Sequence, residues 1–126
     1  MDAAQCVLVV EDDVESSRLM CELFTLRGFT AYQATTGAQA LELAKMHRPG
    51  LILMDIQLPD MDGTAVLTAL RKAEETADIP VVAVTAFAMS GDRERFLSDG
   101  FDGYLSKPIS VSTLVDEMSA LMGPAA

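Results

Sequence analysis

Three acidic residues of this sequence come directly after apolar runs. Glu11 and Asp12 follow the run that ends at Val10, and Asp55 follows the run that ends at Met54. A carboxylate at the mouth of a buried strand is poorly solvated, so its position requires an interaction that offsets the lost hydration. Metal binding and nucleophilic chemistry are two such roles. Capping of the following Pro/Gly loop is a third, and it would explain Asp55 taken alone equally well.

Thr85 and Lys107 follow two further strand-like segments, which could end at the same edge of the sheet as the first two. In one cleft, carboxylates about 4 Å apart repel by on the order of 4 kcal/mol per pair at an effective dielectric constant of roughly 20. The charge of Lys107 does not balance three carboxylates, so a hard divalent cation, Mg²⁺ rather than a caged Ca²⁺, fits best. The predicted magnesium ligands are the carboxylates of Glu11, Asp12 and Asp55 and the backbone carbonyl of Gln57.

Such a cluster is suited to phosphoryl transfer. A carboxylate can act as a nucleophile and form an acyl phosphate, and the transfer needs mainly positioning and charge neutralisation. Asp55 is the central acid and is predicted to be the nucleophile. Lys107 and the Thr85 hydroxyl would each contact a phosphoryl oxygen, and Ala86 is small enough to leave its backbone N–H accessible to the phosphoryl group.

These residues need elements that bring them together. Short runs rich in apolar residues, continuous in some and mixed in others, predict five strands; they lie at 6–10, 29–34, 51–54, 81–84 and 101–106. Apolar residues at helical spacing predict five helices between and after them; these lie at 14–27, 37–47, 63–76, 89–99 and 111–122. Asp13 could cap the first helix, and Thr36-Gly37 opens the second.

Alternation of strands and helices predicts an α/β fold, a doubly wound parallel sheet with helices on both faces. Strands 1, 3 and 4 are solidly apolar, whereas strands 2 and 5 are diluted by polar residues. Edge strands are less buried than central ones, which indicates the strand order 2-1-3-4-5. Ligands of such a sheet bind at the carboxyl ends of strands 1 and 3. The acidic residues should therefore converge there.

The apolar positions of the first two helices predict which side chains face the sheet. On the first helix these are Leu19, Met20, Leu23, Phe24 and Leu26. On the second they are Ala40, Leu41, Leu43, Ala44 and Met46.

The composition and net charge exclude several further classes of protein. The 126 residues are half hydrophobic and 22% charged, which predicts one globular domain over 1–126 with its core at about 5–122. No apolar run reaches membrane-spanning length and the first five residues lack a basic segment, so a cytoplasmic location is expected. The net charge of −10 argues against nucleic-acid binding. Cys6 and Cys21 are expected to be buried and reduced, and His47 to lie at a helix end.

Four motifs together resemble the response regulator receiver domain over nearly the whole chain. They are Val7-Leu8-Val9-Val10-Glu11-Asp12, Met54-Asp55-Ile56-Gln57-Leu58-Pro59-Asp60-Met61-Asp62-Gly63, Val84-Thr85-Ala86 and Ser106-Lys107-Pro108. The segments 83–92 and 105–110 are similar to those of single-domain receivers of the DivK type. The resemblance implies the flavodoxin-like receiver fold. It also implies that Glu11 and Asp12 hold Mg²⁺, and that Asp55 accepts a phosphoryl group from a histidine kinase or a histidine phosphotransfer protein.

The resemblance further implies that Thr85 and Tyr104 form a switch pair and that the protein is a signalling switch rather than an enzyme. Glu11 stands where many receivers have Asp, which keeps the charge and changes the reach of the ligand. Output would then be binding: a protein target at the face of helix 4, strand 5 and helix 5, or a phosphorylation-dependent dimer. Asp60 and Asp62 are interpreted as turn residues.

Other classes remain open at this point. The chain could be the receiver part of a hybrid kinase or a larger response regulator, or an interaction module that is not phosphorylated. A phosphatase of the haloacid dehalogenase type would require a second Asp two residues after Asp55, where this sequence has Gln57. A flavin-binding protein would want a phosphate-binding Ser/Thr/Gly loop after the first strand, which is missing here.

Overall fold

A computed structural model describes residues 6–85 and 91–106 of the chain. In this part of the chain five parallel strands form one sheet in the order β2-β1-β3-β4-β5, as the apolar content predicted. The strands are β1 Cys6–Val10, β2 Thr30–Ala34, β3 Leu51–Asp55, β4 Val81–Thr85 and β5 Gly103–Ser106. The described helices are α1 Val14–Leu26, α2 Gly37–His47, α3 Gly63–Lys72 and α4 Asp92–Asp99. The fifth predicted helix, 111–122, lies outside the described residues.

The burial of the strands explains their order. Every residue of β1, β3 and β4 is buried, because helices cover both faces of these central strands. The edge strands β2 and β5 are mostly half-buried. Val10 of β1 lies opposite Met54 of β3. The residues that follow this pair, Glu11 and Asp55, therefore emerge side by side at the carboxyl edge of the sheet.

Two apolar clusters lie on opposite faces of the sheet. Leu8, Ile52 and Met54 are buried on one face, where Val66 and Leu67 of α3 and the rings of Phe96 and Phe101 join them. Val7, Val9 and Leu53 are buried on the other face against α1. Cys21 belongs to this second cluster, and both Cys6 and Cys21 are free, buried thiols, as predicted. Burial raises the pKa of the Cys6 thiol to about 11, so this thiol stays protonated at neutral pH.

Helix α1 begins at the cap provided by Asp13, whose side chain accepts a hydrogen bond from the Glu15 N–H at 3.2 Å. Its sheet-facing stripe consists of Ser17, Met20, Cys21 and Phe24. Placing Leu19 and Leu26 on that stripe was wrong, since they are 48% and 82% exposed. Successive residues of a helix are rotated by about 100° around its axis, and this rotation places Leu19 and Leu26 to the sides of the buried stripe.

Helix α2 has the predicted bounds, with the Thr36 hydroxyl accepting a hydrogen bond from the Gln39 N–H at 3.1 Å. Ala40 and Ala44 are buried, but the expectation for Met46 was wrong because this side chain is 63% exposed. Met46 follows Ala44 by two residues and so points away from the sheet. His47 lies in the last turn, as expected, and stacks on Tyr32 with a centroid distance of 3.8 Å.

The ends of α3 and α4 differ from the sequence prediction. Helix α3 stops at Lys72 instead of continuing to 76, because Ala73 is extended and the Thr76 hydroxyl donates to the Leu70 carbonyl at 2.6 Å. Helix α4 is described from Asp92, because Gly91 has a φ of 90° and lies in a turn. Positions 89 and 90 of the predicted helix lie outside the described residues.

Arg71 of α3 contacts the two loops that precede β4 and β5, at the amino edge of the sheet. Its guanidinium donates to the carbonyls of Ala77 at 3.0 Å, Ile79 at 2.6 Å and Gly100 at 3.1 Å. It also forms an ion pair with Asp102 at 2.8 Å. This fork fixes the loops that lead into β4 and β5.

None of the helices among the described residues has the length and apolar character that crossing a membrane would require.

Candidate functional site

Glu11 directly follows the last residue of β1 and is almost completely buried, with 1% of its surface exposed. Its backbone N–H donates to the carbonyl of Ala34 at 2.9 Å, which continues the β1–β2 ladder past Val10. The next residue, Asp12, is exposed, and Asp13 leaves the site to cap α1. The Glu11-Asp12 pair therefore presents one buried and one solvated carboxylate.

Asp55 is the last residue of β3, one residue beyond the predicted strand end, and is 7% exposed. Its Oδ1 accepts a hydrogen bond from the Gln57 N–H at 3.0 Å. The backbone on either side is also fixed, because the Ile56 N–H donates to the Val84 carbonyl at 3.1 Å. These bonds hold the carboxylate in place at the sheet edge. The bond from Gln57 is also the one that capping of the following loop predicts.

The three carboxylates come together as the strand order predicts. Glu11, Asp12 and Asp55 each offer one oxygen, and these oxygens all lie within 4.8 Å of one another. Hard oxygen donors of this kind suit Mg²⁺, which retains several of its waters and needs only a few carboxylates from the protein. The donor set therefore fits a magnesium ion.

Thr85 and Tyr104 lie on the same face of the sheet. Tyr104 is opposite Ala83 in the β4–β5 register, so it is the diagonal neighbour of Thr85, two residues along β4. The Tyr104 ring stacks on Phe96 of α4 with a centroid distance of 5.6 Å. Its hydroxyl is buried and has no hydrogen-bond partner among the described residues. Burial, together with the carboxylate of Asp92, raises the pKa of Tyr104.

Two residues of the predicted site, Lys107 and Ala86, lie outside the described residues. Their contacts with a phosphoryl group stay predictions. The structure brings together Glu11, Asp12 and Asp55, and places Thr85 at the end of the neighbouring strand β4.

Two features of the loop between β3 and α3 were missed or only partly understood from sequence. Asp62 was interpreted as a turn residue, and it is the N-cap of α3, accepting from the Thr64 N–H at 2.9 Å. Asp60 accepts hydrogen bonds from the first two N–H groups of a different helix, α2. An acid in a Pro/Gly loop signals local capping, and nothing in its sequence neighbourhood indicates a partner 23 residues away.

The fold and the acidic cluster define a class of protein: flavodoxin-like α/β domains with an acidic site at the switch point of the sheet. The response regulator receiver domain family matches residues 7–119. The chain belongs to this family and is a receiver domain of two-component signalling.

Relatives agree with this assignment. The chain is 44% identical over 119 residues to the polar-differentiation response regulator DivK of Brucella anthropi, with 94% of this chain and 97% of that protein covered. DivK of Brucella ovis matches to the same extent. The resemblance to single-domain receivers of the DivK type is thereby confirmed.

Solved structures show the same fold. The receiver domain of the Francisella response regulator 1452 has a TM-score of 0.85 at 29% identity, covering 93% of this chain and 95% of that one. The receiver domain of a sensor histidine kinase from Pseudomonas aeruginosa has a TM-score of 0.85 at 32% identity, covering 95% and 98%. That structure holds a magnesium ion coordinated in its active site cleft.

Proposed function

We propose that this receiver domain, spanning 1–126, accepts a phosphoryl group on Asp55 and thereby changes which proteins it binds. The observation that carries the proposal is the convergence of three carboxylate oxygens within 4.8 Å at the switch point of the sheet. Such a cluster is unfavourable without a cation, and a domain whose only task was to bind a partner through its surface would not need it.

The chemistry follows from the position of Asp55. One carboxylate oxygen attacks the phosphorus of the donor's phosphorylated imidazole, whose other ring nitrogen carries a proton. The bond from phosphorus to the imidazole nitrogen breaks, its electron pair goes to that nitrogen, and the ring leaves as neutral imidazole. The product is an acyl phosphate on Asp55. When bound, Mg²⁺ would neutralise charge on the carboxylates and the phosphoryl oxygens. Glu11, Asp12, Asp55 and the backbone carbonyl of Gln57 are its proposed ligands.

Each remaining site residue has a proposed role in holding the phosphoryl group. Lys107 neutralises one phosphoryl oxygen, the Thr85 hydroxyl donates a hydrogen bond to another, and the Ala86 N–H donates to a third. The domain catalyses only its own phosphorylation and dephosphorylation.

The proposed readout begins at Thr85. Once Thr85 is drawn to the phosphoryl group, the Tyr104 ring turns along β5, and its buried hydroxyl, which lacks a partner among the described residues, gains one. The surface of α4, β5 and the helix predicted at 111–122 then changes. The phosphoryl donor would be a sensor histidine kinase or a histidine phosphotransfer protein in the cytoplasm. The target would be a protein at that surface or a second copy of the chain.

Intact-mass spectrometry after incubation with acetyl phosphate and Mg²⁺ tests the proposal. The wild-type chain should gain the mass of one phosphoryl group, because Asp55 displaces acetate from phosphorus. The Asp55→Asn variant should gain none, and neither protein should react when Mg²⁺ is removed by a chelator. No gain in the wild type, or a gain that persists in Asp55→Asn, would overturn the proposal.

A further inference from the structure

The loop between Asp55 and α3 is tied to α2 by one side chain. Asp60 Oδ1 accepts a hydrogen bond from the Gly37 N–H at 2.7 Å, and its Oδ2 accepts one from the Ala38 N–H at 3.0 Å. Each carboxylate oxygen thus takes one of the free N–H groups that begin a helix. These two bonds lower the pKa of Asp60. The carboxylate is charged at neutral pH and holds both bonds there.

The residue beside Asp60 strengthens the same tie. Met61 packs so closely on Gly37 that a Cβ atom at Gly37 would overlap with its side chain. A side chain at position 37 would therefore have to displace the Met61 side chain and crowd Val66. Thr36, one residue earlier, caps α2 from within, and its side chain forms no hydrogen bond to the loop among the described residues.

The tied loop is the one that carries the site. Between Asp55 and α3 the Gln57 N–H donates to Asp55 Oδ1 and the Gly63 N–H donates to the Ile56 carbonyl at 2.8 Å. Gln57 and Asp62 also pair as an isolated bridge, which closes the loop on itself. Asp60 lies at the tip of this closed loop. Its bonds to α2 fix the tip against the body of the domain.

We propose that Asp60 is a positioning residue. Its hydrogen bonds to the amino end of α2 fix the loop, and the fixed loop holds the Asp55 carboxylate and the Gln57 backbone in the geometry that binds Mg²⁺. This inference rests on the proposed function, because it assigns the Gln57 carbonyl to the metal. Asp60 itself touches neither the acidic cluster nor a substrate. Its effect passes through the loop backbone.

The matched variants are Asp60→Ala and Thr36→Ala. Both remove hydrogen bonds from the first turn of α2, but only the first releases the loop. Hydrogen exchange of backbone amides without Mg²⁺ gives a readout that does not depend on activity. Asp60→Ala should raise the exchange rates of the Gln57 and Gly63 amides at least tenfold relative to that of Leu53 in the core. Thr36→Ala should leave those ratios unchanged.

Calorimetric titration with Mg²⁺ gives the second readout. Asp60→Ala should weaken the Kd for Mg²⁺ at least fivefold, and Thr36→Ala should weaken it less than twofold. Asp60→Asn, which keeps one acceptor oxygen, should fall between wild type and Asp60→Ala. If Asp60→Ala does not fold, Asp60→Asn must still show the selective exchange at Gln57 and Gly63.

Equal effects of the Asp60 and Thr36 substitutions on exchange and on the Kd would overturn the inference and leave Asp60 as a helix cap. Phosphorylation of the wild type by acetyl phosphate separates this failure from failure of the proposed function. A wild type that is phosphorylated while the two variants behave alike contradicts only the role of Asp60. A wild type that neither binds Mg²⁺ nor gains a phosphoryl group contradicts the proposed function as well.

Discussion

Gly63 shows how closely single residues are constrained around Asp55. A Cβ atom at this position would lie 2.7 Å from the Asp55 carbonyl oxygen and 2.9 Å from the Ile56 Cα. Both are backbone atoms, so no side-chain rotation can relieve the contact. The first residue of α3 must therefore lack a side chain for the end of β3 to keep its place.

The Gly63→Ala substitution should destabilise the domain by about 1–3 kcal/mol, because it overpacks a buried site. It should also slow the phosphorylation of Asp55 by acetyl phosphate at least tenfold. Urea denaturation and intact-mass kinetics measure the two effects. Gly28→Ala is the matched control. It strains a residue with a φ of 90° by about 1–2 kcal/mol but has open space around it, so its phosphorylation rate should stay unchanged. Equal rates for both variants would contradict this account.

Residue types and spacing were sufficient to predict the carboxylates of the site, because strand ends in a parallel sheet share one edge. They were not sufficient for Asp60, whose partners are N–H groups of α2 brought near only by the folded chain. Backbone donors carry no sequence signal. A contact between a side chain and a distant helix end can therefore be found only in three dimensions.

At the scale of elements, strand order was predictable because burial on two faces demands continuous apolar runs. Helix ends were less predictable, because they depend on individual hydrogen bonds. The apolar pattern of α3 would allow it to continue to 76, but Thr76 turns back to the Leu70 carbonyl. Periodicity likewise included Gly91 in α4, although its positive φ places it in the turn before that helix.

The Arg71 fork carries a prediction at this scale. Arg71→Ala should lower the free energy of unfolding by about 1.5–3 kcal/mol, because charged hydrogen bonds to three carbonyls are lost together. The exposed ion pair with Asp102 should contribute little to that loss. Urea denaturation measures the change.

Lys72→Ala is the control for Arg71→Ala, because it removes the neighbouring positive charge from the same last turn of α3. It should change the free energy of unfolding by less than about 0.5 kcal/mol. Similar losses in the two variants would mean that helix-end charge, rather than the fork, stabilises this part of the chain.

For the whole molecule, the proposed magnesium site at Glu11, Asp12 and Asp55 would link stability to the Mg²⁺ concentration. A ligand that binds only the native state stabilises it, by about 2.7 kcal/mol at a free concentration 100 times its Kd. Mg²⁺ should therefore raise the Tm of the wild type by several degrees. Asp55→Asn removes one charged ligand and should show a smaller rise.

Thermal denaturation in MgCl₂ and in NaCl of equal ionic strength measures this linkage. The NaCl series accounts for screening of the net charge of −10, which acts on both proteins alike. A rise in Tm that is the same in wild type and Asp55→Asn would show that Mg²⁺ acts on the overall charge and not on the cluster.

The pairing of β1 with β3 joins strands that are distant in the sequence. Val10 and Met54 meet across more than forty residues, so we expect this central pairing to form after the local contacts of α1 and β2. The carboxylates approach one another only as this pairing forms. Their repulsion therefore opposes a folding step, and a chain emerging from the ribosome has no acidic site until β3 has docked.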